Sequence, residues 1–164
     1  MDFIKKLSSS SRFDTILVIV NWLTKQVIFI PAHDTIMSMD LVCLFILYVF
    51  SKHSIPSHAI FNRSLEFVSN FFYSLDTTLN MWLHFTSGYH PKGNGQTEHI
   101  NQTLEQYLYV YCNYQQDNWS ELLSLAKFVY NNALSATTGI SPFFTNKGYH
   151  LNITIYPKRN TASS

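Results

Sequence analysis

Two cysteines, five glycines and five prolines in 164 residues leave little room for metal staples or loop-dominated architecture. Cys43 and Cys112 stand alone, with no CxxC and no Cys/His spacing, so a zinc knuckle is excluded and a disulfide is not expected. A reducing, intracellular location fits that usage. The longest strongly apolar run is Leu41 to Phe50. That is about half of the roughly 20 residues a membrane helix needs, so no membrane partner is expected and the run reads as a buried helix. The N-terminal MDFIKKLSSS has neither the leading basic region nor the apolar segment of a signal peptide. Charge is scarce as well, at 13% of residues with a net +1. Broad attraction to nucleic acid comes from clustered Lys and Arg neutralising phosphates, so any DNA contact has to come from local placement.

What is present is apolar and aromatic. A hydrophobic content of 46%, with 16% Phe, Trp and Tyr, is enough for one core. Three strands are expected first: Met1 to Lys5, then β-branched Thr15 to Val20, then Gln26 to Ile30 with Pro31 closing the run. The tight connection 21–25 makes the second and third a hairpin. Thr35 to His53 reads as a helix capped by Asp34 or Thr35 and stopped at Ile55-Pro56. Its nearly all-round apolar surface requires sheet on one side and another helix on the other. Short strands are expected at 58–61 and 84–86, with a helix from Glu66 to Leu79 between them. A final helix runs from Trp119 to about Leu134, and Thr138 to Phe144 is a packed tail segment. A strand that follows a helix rejoins a sheet in parallel by a right-handed crossover. The expected architecture is therefore α/β, a five-stranded mixed sheet with helices on both faces.

The stretch Gly88 to Gln106 carries the chemistry. Pro91, Gly93 and Gly95 argue for an irregular, mobile first half, after which Ile100, Leu104, Tyr107, Leu108 and Tyr111 fall on one helical face. Glu98, Asn101, Gln102 and Glu105 fall on another. Taken by itself, Glu98 is most simply a first-turn acid favoured by the helix dipole. Of ten carboxylates, most lie at helix starts or element ends. Asp2 differs, because the first strand of a meander followed by a crossover tends to be central, and Asn62 would end the strand beside it. Active sites of open sheets gather at such switch points. Carboxylates from strands and a helix that converge there suit two-metal phosphoryl transfer, in which hard divalent ions take anionic oxygen ligands.

Blocks along nearly the whole sequence resemble the catalytic core of retroviral-type integrases, in particular those of gypsy-type long-terminal-repeat retrotransposons. These are MDFI at 1–4, FDTILVIVNWLTKQVIFIP at 13–31, VFSKHSIPSHAIFNRSLEFVS at 49–69, SGYHPKGNGQTEHINQTLEQYL at 87–108, and YCNYQQDNWSELLSLAKFVYNNALSATTGISPFF at 111–144. The most specific pieces are YHP…GQTE, NQTLEQY, and YNN followed by TGISPF. The resemblance implies an RNase H-like fold over residues 1–148, truncated at its N-terminus and without the usual upstream zinc-binding domain, followed by a frayed tail at 149–164. It implies DNA as partner, Mg²⁺ or Mn²⁺ as cofactor, strand transfer as the reaction, homodimerisation through apolar helix faces, and a nuclear location for a functional protein. Its metal triad is Asp, Asp and Glu, with 35 residues between the last two; residues 63–97 supply that spacing between Asn62 and Glu98. Asp2 then matches the first acid and Glu98 the third, and these two are the expected metal ligands. The second position is Asn62, in NRSLEF where the family pattern resembles Asp-Arg-Gly. In related integrases the first two aspartates share one metal. A neutral amide there weakens or loses the ion, and an inactive or severely impaired enzyme is expected. Asn21 and Asn94 also replace the family's usual Asp, and His99 its usual Arg. His90 and Gln102 are candidate DNA contacts, whereas Glu105 would repel phosphate. The competing reading is a domesticated, non-catalytic DNA- or protein-binding module.

Overall fold

The computed structural model describes residues 1–53, 59, 65–79 and 91–150. Three strands, β1 (Asp2–Ile4), β2 (Thr15–Val20) and β3 (Val27–Ala32), form an antiparallel sheet in the order β1-β2-β3. The pairing sets Asp2 opposite Val18 and Ile16 opposite Pro31. β2 is buried along nearly its whole length because both faces of the sheet are covered, which is why it reads as a continuous apolar run rather than an alternating one. Its alternate side chains serve two cores. Ile16 and Val18 join Ile4, Val27 and Phe29 beneath Ile100, Leu104, Leu108, Trp119 and Leu123. Leu17 and Ile19 join Ile30 beneath Leu41, Val42, Phe45, Phe71 and Leu75.

Those opposite faces carry the helices. On one lie α1 (Ser38–Phe45), continued by a π-helical stretch Ile46–Phe50 and a last turn α2 (Ser51–His53), and α3 (Leu65–Leu79). On the other lie α4 (Pro91–Tyr111) and α5 (Trp119–Asn132). A short α6 (Pro142–Lys147) follows, opened by the Ser141 hydroxyl accepting from Phe144 N and closed by Gly148 at φ 78°. Leu41, Val42 and Phe45 meet the sheet and α3 together, as the all-round apolar character of that helix requires.

Several boundaries depart from the sequence expectation. α1 starts at Ser38, not Thr35: Asp40 accepts the backbone N–H of Met37, so the acid in the first turn outcompetes Asp34 and Thr35 as the cap. β3 continues through Pro31 instead of ending there. Val27 turns its N–H and C=O away from β2, towards Asn131, and Pro31 shares that parity. The donor proline lacks is therefore one β2 would not have used. Within 138–144, only the end forms a helix, since Pro142 suits a first helical position. Of the further strands expected at 58–61 and 84–86, only Ala59 is described, and it belongs to no strand; the other residues of both lie outside the described residues.

The β1–β2 connection forms a clasp. Ser10 and Phe13 exchange backbone hydrogen bonds across Ser11 and Arg12, both left-handed at φ 49° and 77°. That is the backbone of a type I′ turn, which favours Asn-Gly. Left-handed geometry costs a residue with Cβ about 1–2 kcal/mol. Arg12→Gly is therefore expected to stabilise the protein by roughly 0.5–1.5 kcal/mol in urea denaturation, and an unchanged or lowered midpoint would refute the turn assignment.

Candidate active site

Asp2 sits at the start of β1 and shares its parity with Ile4, so it faces the α4 side of the sheet. Asn101 of α4 donates from Nδ2 to Asp2 Oδ2 at 2.8 Å. Asn101 Oδ1 is buried and has no partner among the described residues. Glu98 lies one helical turn before Asn101 and is exposed, as is Gln102. A second tie lies one turn further towards the start of α4, where Lys25 Nζ donates to Gln96 Oε1 at 3.1 Å. Lys25 is in the β2–β3 connection, held left-handed at φ 62°. The helix segment carrying Glu98 is thus fixed by Gln96 on one side and Asn101 on the other, while Ile100 and Leu104 bury its apolar face.

Two features of this segment differ from the sequence reading. The stretch from Pro91 to Gly95 is helical rather than an irregular lip, because Pro91 occupies the first position of α4, where its missing N–H is no loss. A Cβ built on Gly95 would meet nothing within 4 Å, so this glycine is not required by close packing. Glu98 is consequently well inside α4, which has no acid in its first turn, and the dipole explanation for Glu98 falls away. Glu98 is exposed on α4, one turn before the residue that holds Asp2.

Of the residues expected at the site, Asp2 and the Glu98 segment are brought together through Asn101. Gln102 is near them on α4, while Asn62 and His90 lie outside the described residues. Among the described residues no three His, Cys, Asp or Glu side chains group as a metal site. The donor chemistry nevertheless fits a hard divalent ion at Asp2 and Glu98: two carboxylates, and a buried amide oxygen at Asn101 that has no hydrogen bond to give up among the described residues. Asn101 and Gln96 are the positions whose contacts sequence reasoning passed over. The i+3 spacing of Asn101 from Glu98, next to buried Ile100, was the available signal. Asn21, one of the departures from the family pattern, accepts the backbone N–H groups of Leu23 and Thr24 through its side-chain oxygen, a role a carboxylate oxygen fills equally.

No family model matches the chain. Over 143 residues it is 30% identical to the Transposon Tf2-3 polyprotein of Schizosaccharomyces pombe, and identical in degree to its Tf2-4 counterpart. That match takes in 87% of the chain, which spans only 11% of the length of these curated relatives. Among solved structures, the fold matches a simian T-cell lymphotropic virus intasome in complex with a PP2A regulatory subunit, at a TM-score of 0.67 and 17% identity over 99% of this chain and 59% of that one. It also matches the HTLV-2 integrase catalytic core domain in complex with magnesium, at 0.64 and 14% over 88% and 93%. The BIV integrase catalytic core domain follows, at 0.61 and 18% over 88% and 92%. The fold these likenesses define is the RNase H-like α/β fold of integrase catalytic cores. The chain is homologous to a segment of the Tf2 retrotransposon polyproteins and has the fold of the integrase catalytic cores.

Proposed function

We propose that this domain, residues 1–148, is the strand-transfer core of a gypsy-type retrotransposon integrase whose metal site has lost its second aspartate. The observation that carries the reading is the Asn101–Asp2 hydrogen bond, which joins the helix of Glu98 to the start of β1, where the family's first acid falls. Asp2 and Glu98 would hold the divalent ion, Mg²⁺ or Mn²⁺, and Asn62 would stand at the second acid position. When bound, the ion supplies Lewis-acid activation of an attacking oxygen and charge stabilisation at the phosphate. Asn101 keeps Asp2 oriented, and burial of Ile100 and Leu104 holds Glu98 on a rigid helix rather than a loop. With a neutral amide at position 62, one anionic ligand is missing, so activity is severely reduced or absent. The same reading carries a five-stranded mixed sheet with further strands beyond β1, DNA as partner with contacts at Gln102 and His90, a homodimer, and a nuclear site of action. The HTLV-2 core is known in dimeric and trimeric forms with magnesium, which supports both the cofactor and self-association.

Calorimetric titration of the chain with Mn²⁺ tests the ligand assignment. Glu98→Gln and Asp2→Asn are each expected to weaken binding by about tenfold or more, the scale on which even outer-shell changes act. Glu105→Gln, on an exposed position two turns further along α4, leaves the affinity unchanged. Equal affinity of all four proteins would remove Asp2 and Glu98 from the site.

A further inference from the structure

The tip of the β2–β3 hairpin presents a large aromatic ring to solvent in an arrangement that the catalytic reading leaves unused. Trp22 is 69% exposed and Leu23 83% exposed. An exposed tryptophan is costly to leave in water without a partner, since its ring is one of the largest apolar surfaces a side chain offers. This one is also held on a preorganised turn. The Asn21 side chain accepts from Leu23 N and Thr24 N, both at 3.0 Å, while Asn21 and Lys25 close the turn through Lys25 N to Asn21 O at 2.9 Å. Lys25 Nζ then lies 6.0 Å from the centre of the Trp22 ring and 3.1 Å from Gln96 Oε1 on α4. The ammonium group is thereby held over one face of the Trp22 ring, against the helix that carries Glu98 two residues on. Residues 21–26, NWLTKQ, contain no acid that would repel phosphate.

We propose that Trp22 and Lys25 form a stacking site for an unpaired nucleotide of a DNA strand that leads towards Glu98, with the base on the face of Trp22 opposite Lys25 and Lys25 at an adjoining phosphate. This inference rests on the integrase reading and extends it to a surface that reading does not use. The combination of one aromatic face with one adjacent cation is the chemistry by which single-stranded nucleic acid is held without sequence readout, and a base inside a duplex does not expose its face. An acidic protein ligand would pair with the same ammonium group; the tie of Lys25 to the helix of Glu98 favours the nucleotide. The low net charge of +1 makes such a local contact count for more than it would on a basic surface.

The test is fluorescence anisotropy at low salt with a labelled duplex bearing a short single-stranded overhang and with the same duplex blunt-ended, using the full chain, Trp22→Ala, Trp22→Phe and Lys25→Ala. Trp22→Ala is expected to weaken binding of the tailed duplex by about fivefold or more and to leave the blunt duplex unchanged, with Trp22→Phe retaining most of the affinity. Lys25→Ala is expected to lower the slope of affinity against salt by about one. Because Trp22 is exposed, circular dichroism of the alanine variant should match the parent. If the parent binds tailed DNA and Trp22→Ala binds it equally well, the stacking site is overturned and the integrase reading stands. If the parent binds neither duplex, DNA as partner fails and the stacking site fails with it.

Discussion

Asn62→Asp is expected to raise metal-dependent DNA strand transfer by about two orders of magnitude or more over the unaltered chain, and to raise Mn²⁺ affinity by about tenfold or more. The substitution supplies the one anionic ligand the proposed site lacks, at the position that precedes Glu98 by the spacing of the family triad. The gain should depend wholly on the other two acids, so adding Glu98→Gln to Asn62→Asp should return the rate to the background of the unaltered chain. Effects within such a unit are strongly non-additive, because each ligand is useful only while the others hold the ion. An Asn62→Asp variant no faster than the unaltered chain would show that position 62 is not a ligand, and the reading of a disabled metal site would go with it.

The largest stability loss is expected from Trp119→Ala. Trp119 is 2% exposed at the first turn of α5, packed in the core between the sheet and α4. Its indole Nε1 donates to Ser8 O at 2.7 Å, and the next residue, Ser120, meets Ser10 through both its N–H, at 3.1 Å, and its hydroxyl, at 2.8 Å. The ring therefore fills the core and pins the β1–β2 connection to α5. Truncation leaves a cavity and an unpaired carbonyl, with a cost of about 3–5 kcal/mol against a total stability on the order of 5–15. At this chain length that corresponds to a fall in Tm of roughly 10 °C. Trp119→Phe keeps most of the apolar volume and should lose less than half as much. A thermal or urea melt in which Trp119→Ala costs under about 1 kcal/mol would show that the clasp is dispensable.

Trp119 also illustrates what the sequence makes legible. Its place at the start of a helix follows from the turn-forming Asp117 and Asn118 before it and the spaced leucines after it, and the structure begins α5 at that residue. β2 was equally plain, because a short β-branched run with no polar interruption has few other uses. Asp2 and Glu98 were identifiable through motif resemblance, not through local chemistry, since a lone Glu on a helix has an ordinary explanation. The misses around the site were of one kind. Pro91 and Gly93 to Gly95 look like loop residues, yet tertiary packing of Ile100, Leu104 and Leu108 supports a helix long enough to run through them. Asn101 shares a helical face with Glu98, but what it and Gln96 contact, Asp2 and Lys25, lies 99 and 71 residues away. No local rule reaches contacts of that separation.

Asn131 shows how far one such distant contact reaches. By donating to Val27 O and accepting from Val27 N, both at 2.9 Å, its amide presents β3 with the pair of bonds a neighbouring strand would make. The side chain acts as a one-residue imitation strand, and Pro31 further along removes the next-but-one donor on that edge. The sheet is thereby a ladder with a closed end and a direction of growth: another strand, from this chain or from a second molecule, can be added beside β1 but is refused beside β3.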